Sequence, residues 1–193
     1  GRSEEGLAFS RRAIAALESP PLAGQESLRR TQCLRNACWG CAEALAALGR
    51  YDEALQAWDE ALALAPEGSR DAVRLGRAET SARKGDHVQA VAEVLDLRAV
   101  ADGYGPVLYQ LASILAICRE KAALDASLPA ARREALIEQY GAVAVSILQQ
   151  AAAAGLFDDP AAVKQLEDDP VFAPLRTRKD WQEILKPKPD RKT

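Results

Sequence analysis

Cys38 and Cys41 stand three residues apart, the spacing at which paired thiols bind metal or exchange disulfides. Structural zinc needs four ligands, yet there is no second such pair, and the only histidine, His87, lies far along the chain on another helix. Cys33 precedes Cys38 by five residues. At about 100° per residue that is roughly 500° around a helix, so Cys33 is poorly aligned with Cys38. Redox-active pairs usually open a helix, where the dipole lowers the thiol pKa. This pair sits in mid-helix, on the side with the apolar residues. Core packing is therefore the reading for Cys38 and Cys41, with a thiol redox or metal sensor as the alternative. Four cysteines, three of them in one helical stretch, do not form the loop-spread framework of an extracellular disulfide protein. Reduced thiols in the cytoplasm fit better.

Two acid pairs, Asp158-Asp159 and Asp168-Asp169, offer carboxylates for acid–base work. Each is followed by a proline, Pro160 or Pro170, so each reads instead as a helix N-cap with proline at the first helical position. His87 has no neighbour in sequence to orient or tune it, and it reads as structural. No nucleophile elbow, phosphate loop or dinucleotide glycine fingerprint is present. The basic clusters Arg11-Arg12, Arg29-Arg30 and Arg132-Arg133 are short and interleaved with acids, as on solvated helix faces.

The elements that carry these residues are helices. Hydrophobic content is 48% but aromatics only 5%, with alanine supplying much of the difference, which favours closely packed helices over strands. A net charge of -3 gives no basic face for nucleic acid. Apolar runs are broken well before a membrane span, and no signal peptide is visible. The sequence begins at Gly1 and has no methionine, so it reads as an expressed fragment whose parent can carry further domains.

A helical hairpin is expected from about Ser27 to Ala65, turning at Gly49-Arg50 and stopping before Pro66. Ala54, Trp58 and Ala61 mark its second apolar stripe, with Asp52, Glu53, Asp59 and Glu60 on the other side. The pattern returns 36 residues later: Gly85-Asp86-His87 matches Gly49-Arg50-Tyr51, and Ala90, Val94 and Leu97 match the trio. On the preceding helix Ala78 matches Ala42. A third, more distorted copy has Leu111, Ala112 and Leu115 on its first helix and Ala144, Leu148 and Ala151 on its second, with an insertion at about 119–138 between them. Such repetition predicts an all-α solenoid of about three helix pairs.

These residues resemble the tetratricopeptide repeat, a helix–turn–helix unit of about 34 residues. Gly49, Tyr51, Ala54, Trp58, Ala61 and Pro66 look like its turn glycine, aromatic, small–large–small trio and closing proline. Cys38 and Cys41 stand where large apolar residues are usual, and His87 stands where the second copy would carry an aromatic. The resemblance implies a right-handed solenoid over residues 27–155, preceded at 1–26 by one helix of an incomplete repeat. A capping segment of short helices follows at 156–185. In it Leu166, Val171, Phe172, Leu175, Trp181, Ile184 and Leu185 can cover the open end, and Thr177 and Asp180 resemble a capping box. Residues 186–193 read as a disordered basic tail. The strings LRNACWGCAEALAALGRYDEALQAWDEAL and DDPVFAPLRTRKDWQEIL are also similar to the C-terminal repeat tails of large bacterial serine/threonine kinases, although no kinase motif is present.

The repeat register implies a partner groove lined by Asn36, Trp39 and Glu43, then Leu75, Glu79 and Arg83, then Tyr109, Gln110 and Ser113. Trp39 is either a peptide anchor or filler between helices. The groove lacks the repeated Lys/Asn pattern that clamps a peptide C-terminal carboxylate, so chaperone-tail binding is not expected. The resulting expectation is a non-catalytic, cytoplasmic interaction module for a protein or peptide. It needs no cofactor or metal, and makes no nucleic-acid or membrane contact. The competing expectation is a structural or self-associating domain whose groove is filled by its own insertion.

Overall fold

Alanine-rich stretches punctuated by glycine and proline give an all-α arrangement of successive helices. The computed structural model describes residues 1–19, 28–101 and 103–185, and among these there is no strand. The expected basic tail at 186–193 lies outside the described residues, as do residues 20–27. The helices are α1 (Arg2–Glu18), α2 (Leu28–Ala47), α3 (Tyr51–Leu64), α4 (Arg70–Lys84), α5 (His87–Val100), α6 (Gly105–Leu124), α7 (Ala130–Ala153) and α8 (Pro160–Asp168). Short 3-10 turns follow at Pro170–Leu175 and Trp181–Glu183. No helix among the described residues is long and apolar enough to cross a membrane. The chain divides into two compact units, Gly1–Asp86 and His87–Thr193.

In the first unit α2 and α3 form a hairpin closed by Gly49. Its φ of 75° lies in the left-handed region, which an L side chain rarely adopts. Gly49 N–H donates to Ala46 O (3.0 Å) and Arg50 N–H to Leu45 O (2.9 Å), the paired bonds of a Schellman turn. Gly85 ends α4 in the same way, with φ 110° and bonds from Gly85 to Ala82 (3.1 Å) and Asp86 to Ser81 (3.0 Å). Helix α3 stops as its sequence requires: Ala65, before Pro66, is extended.

The core of this unit is built on one ring. Trp58 of α3 is buried beside Ala42, Leu45, Ala54, Ala61 and Val73. It lies so close to α4 that a Cβ at Gly76 would come within 2.5 Å of two ring carbons. The indole N–H donates to Thr80 Oγ1 (2.9 Å), and the Thr80 hydroxyl donates to the Gly76 carbonyl (2.9 Å). The buried polar atoms of the ring and of Thr80 are therefore all engaged. Helix α1 approaches α2 in a similar way, where a Cβ at Gly40 would meet Ser10 Oγ at 2.8 Å.

In the second unit α6 is buried almost all round, through Leu108, Leu111, Ala112, Ile114, Leu115, Ile117 and Cys118. A helix apolar on every side is the centre of its unit. Residues 119–138, expected as an insertion, are instead the end of α6 and the start of α7, and only 125–129 link them. The stretch is rich in Ala, Leu, Arg and Glu, which favour helix. Pro129 stands just before α7, where it breaks no helical bond. In the link, Asp125 accepts from Ser127 N–H at 2.9 Å.

Asp159 accepts from Ala161 N–H (2.9 Å) to start α8, and Asp169 accepts from Val171 N–H (3.0 Å) to start the turn that follows. The capping box at Thr177 does not form: no side chain caps the Trp181 turn, and the Asp180 carboxylate is taken by Arg178 at 2.9 and 3.0 Å. A charged donor outcompetes a backbone amide for that carboxylate.

The close approach at Gly76 predicts that Gly76→Ala destabilises the chain by about 1–3 kcal/mol, because a rigid ring must move. The same change at Gly6, which lies in α1 with nothing nearby, should instead raise stability by up to about 1 kcal/mol. Urea denaturation of both variants checks this, and equal effects would remove the ring–backbone contact as the cause.

Candidate functional site

Three groups of side chains have the chemistry or exposure to act. The first is the thiols. Cys38 and Cys41 lie on the buried side of α2, within the core that contains Trp58. Burial is the main reason the Cys38 thiol is pushed up to about 12, with the nearby Glu60 carboxylate adding to it. The Cys38 S–H donates to Glu60 Oε2 at 3.7 Å. Burial also raises Cys41, and it pushes Cys118 up to about 12. In each case burial disfavours the thiolate, the form that acts as nucleophile and metal ligand. Cys33 is exposed. Among the described residues no three His, Cys, Asp or Glu side chains gather as a metal site.

The second group surrounds His87, for which the sequence showed no partner. The ring opens α5 and is only 3% exposed. Its Nδ1 lies 3.2 Å from the Tyr140 hydroxyl on α7, and its Nε2 lies 3.4 Å from Asp125 Oδ2 in the α6–α7 link. A neutral ring satisfies both contacts if Tyr140 donates to Nδ1 and Nε2–H points at Asp125. Asp125 is held below the usual carboxylate range, first by the Ser127 hydroxyl and amide and then by His87. Burial raises the Tyr140 hydroxyl. The imidazole and the 4%-exposed tyrosine are enclosed, while the Asp125 carboxylate is half-buried. The three side chains act as a polar cross-link between the start of α5, the α6–α7 link and the middle of α7. The partners lie 53 and 38 residues from His87, a separation that no local pattern reveals.

The third group is the expected groove. In the first unit Asn36 and Glu43 are exposed on α2, and Leu75 and Glu79 are half-buried on α4. Arg83 is exposed and pairs with Glu79 at 2.7 Å. Trp39 is half-buried against the core, edge-on to Trp58 with centroids 5.1 Å apart and planes at 73°. Its ring is committed to packing on one side. In the second unit Gln110 is exposed and Ser113 half-buried. Tyr109 differs from these: its hydroxyl donates to Asp169 Oδ2 at 2.9 Å, and its ring meets Phe172 edge-on at 5.4 Å. Burial and the Asp169 carboxylate raise that hydroxyl well above its ordinary range.

The chain thus covers Tyr109 itself, with its C-terminal segment. Residues 119–124 and 130–138, part of the insertion expected to fill the groove, are helical, and the segment that covers Tyr109 is the C-terminal one. Asp169 and Phe172 were legible as a cap and as end-covering apolar residues, but their pairing with Tyr109, across 60 residues, was not. Compared with protein-family models, with curated proteins and with solved structures, the chain matches none.

Two outcomes are expected. At pH 8 a disulfide reagent should modify Cys33 rapidly and the other three thiols only after denaturation; fast reaction at Cys38 or Cys41 in the folded chain would refute their burial. Replacing the buried ring, His87→Phe, strands the Tyr140 hydroxyl and should cost about 1–3 kcal/mol, part of which Tyr140→Phe restores in the double variant. Strict additivity of the two changes would show that the contact carries no energy.

Proposed function

We propose that this chain is a tetratricopeptide-type interaction module without catalytic activity of its own. It recruits a protein or peptide partner, and its context is the C-terminal tail of a bacterial serine/threonine kinase. The observation that carries the reading is a recurring backbone and burial signature. Gly49 and Gly85 both turn left-handed through Schellman bonds. After each, the same helical positions are buried: Ala54, Trp58 and Ala61 in α3, and Ala90, Val94 and Leu97 in α5. Ala42 and Ala78 are fully buried at matching positions of the helices before the turns. A unit repeated in this way presents the remaining faces of its first helices to a partner.

Chemistry-bearing groups support the same reading. Burial raises the Cys38 and Cys118 thiols, and both ring nitrogens of the one histidine face partners within the fold. The exposed polar residues of the expected groove are the ones left for recognition. Coverage of Tyr109 by Asp169 and Phe172 favours a second reading for that part of the surface, in which the chain occupies its own site.

The variant Asn36→Ala/Glu43→Lys/Gln110→Ala changes only exposed positions, so its stability should stay within about 0.5 kcal/mol per site of the parent. Its capture of partners from a lysate of the source cell, quantified by mass spectrometry against the parent chain, should fall at least tenfold. An unchanged partner set would show that these faces do not bind.

A further inference from the structure

The segment after α8 has a period that no helix shares. Asp169, Phe172, Leu175, Arg178, Trp181 and Ile184 follow one another at intervals of three. A 3-10 turn has about three residues per turn, so residues at that interval lie on one side. The segment begins as such a turn, Pro170–Leu175, and its local bonds keep the form: Phe172 N–H to Asp169 O, Arg176 N–H to Ala173 O, and Arg178 N–H to Leu175 O. It therefore satisfies much of its own backbone and meets the rest of the unit through side chains.

Those side chains are received individually. Asp169 uses one oxygen to cap its own turn and the other to accept from Tyr109 of α6. Phe172, fully buried, lies between Tyr109 and Trp181. Leu175 is fully buried over Gly141 of α7, where an added Cβ would meet its Cδ2 at 3.2 Å and Arg178 Nη1 at 3.3 Å. Arg178 forks onto both oxygens of Glu138 at 2.8 and 2.9 Å. Gln149 donates to the Asp180 carbonyl at 3.1 Å. An aromatic anchor, a bare helix surface and a bidentate arginine clamp are the parts by which a folded surface recognises a peptide.

We propose that residues 169–184 are an intramolecular ligand on a recognition surface formed by α6 and α7, and that this surface accepts in trans a segment of a different protein with the same chemistry. That segment opens a short turn with a carboxylate, followed at three-residue steps by a phenylalanine, a leucine and an arginine. The tethered copy holds the surface closed: a short tether supplies an effective concentration on the order of millimolar, which a free partner must overcome. The proposal rests on the reading of the chain as an interaction module and names the partner class for its second unit.

The test uses the full chain and a fluorescent synthetic peptide of residues 168–185, with binding read by anisotropy. The peptide should bind weakly to the parent chain and at least tenfold more tightly to the Phe172→Ala chain, whose own segment is loosened. Arg178→Ala, a half-buried change outside the apolar anchor, should also raise binding, and it serves if Phe172→Ala does not fold. A peptide carrying its own Phe172→Ala change should lose at least tenfold on either variant. Equal binding to parent and variants, or no binding to a folded variant, overturns the proposal. A concentration-dependent dimer that excludes the peptide assigns the surface to a second copy and overturns it as well. Either failure leaves the exposed positions Asn36, Glu43 and Gln110 to be judged by their own variant, so the interaction-module reading stands or falls separately.

Discussion

The first unit depends on the contact between the Trp58 ring and the α4 backbone at Gly76. An indole is the largest side chain available and has only one polar atom, so burying it stabilises strongly if that atom finds a partner. Here the absence of a Cβ lets the ring lie against the helix, and Thr80 takes the N–H while bonding back to the Gly76 carbonyl. Much else follows from that placement. Ala54 and Ala61 must be small, because they flank the ring one turn away on the same helix. Trp39 then has an edge to pack against, and it is half-buried there. Cys38 and Cys41 fill the space around the same cluster as small apolar groups, and burial there suppresses their ionisation.

The second unit uses a different device. Val94 takes the position in α5 that Trp58 has in α3, and no comparable ring fills it. A buried polar link, His87 with Tyr140 and Asp125, ties α5 to the α6–α7 hairpin. The aromatic side chains Phe172 and Trp181 arrive from the C-terminal segment. Buried polar links specify an arrangement more than they strengthen it, since each member loses hydration and regains it only in one geometry. The C-terminal segment adds apolar burial through Phe172 and Leu175 beside polar links of its own.

Several groups that could do chemistry are engaged in the fold instead. The imidazole is enclosed, three thiols are buried, and the two aspartate pairs start turns. Exposed amide and carboxylate side chains on α2 and α6 remain, together with a surface on α6 and α7 that already holds a segment of this chain. The proposed recognition role draws on these groups, since there complementarity rather than bond-making chemistry would select the partner.

What the sequence determined by itself was local. Alanine-rich amphipathic stretches, glycines at left-handed turn ends, prolines after extended residues and aspartates before proline each act within a few residues, and the helix pairs around Gly49 and Gly85 follow from them. Local rules also explain two features that spacing concealed. Residues 119–138 looked like an insertion because they depart from a repeat spacing, although their own propensities are helical. The C-terminal apolar residues were seen as a cover, yet their three-residue period was hidden among neighbours read at the helical period. Tertiary structure alone decided that His87 meets residues 38 and 53 positions away, that Tyr109 is covered by Asp169 and Phe172, and that Gly76 receives a ring. Those pairings depend on which helix faces are brought together, and backbone periodicity fixes a residue's direction on its own helix but not what lies opposite it.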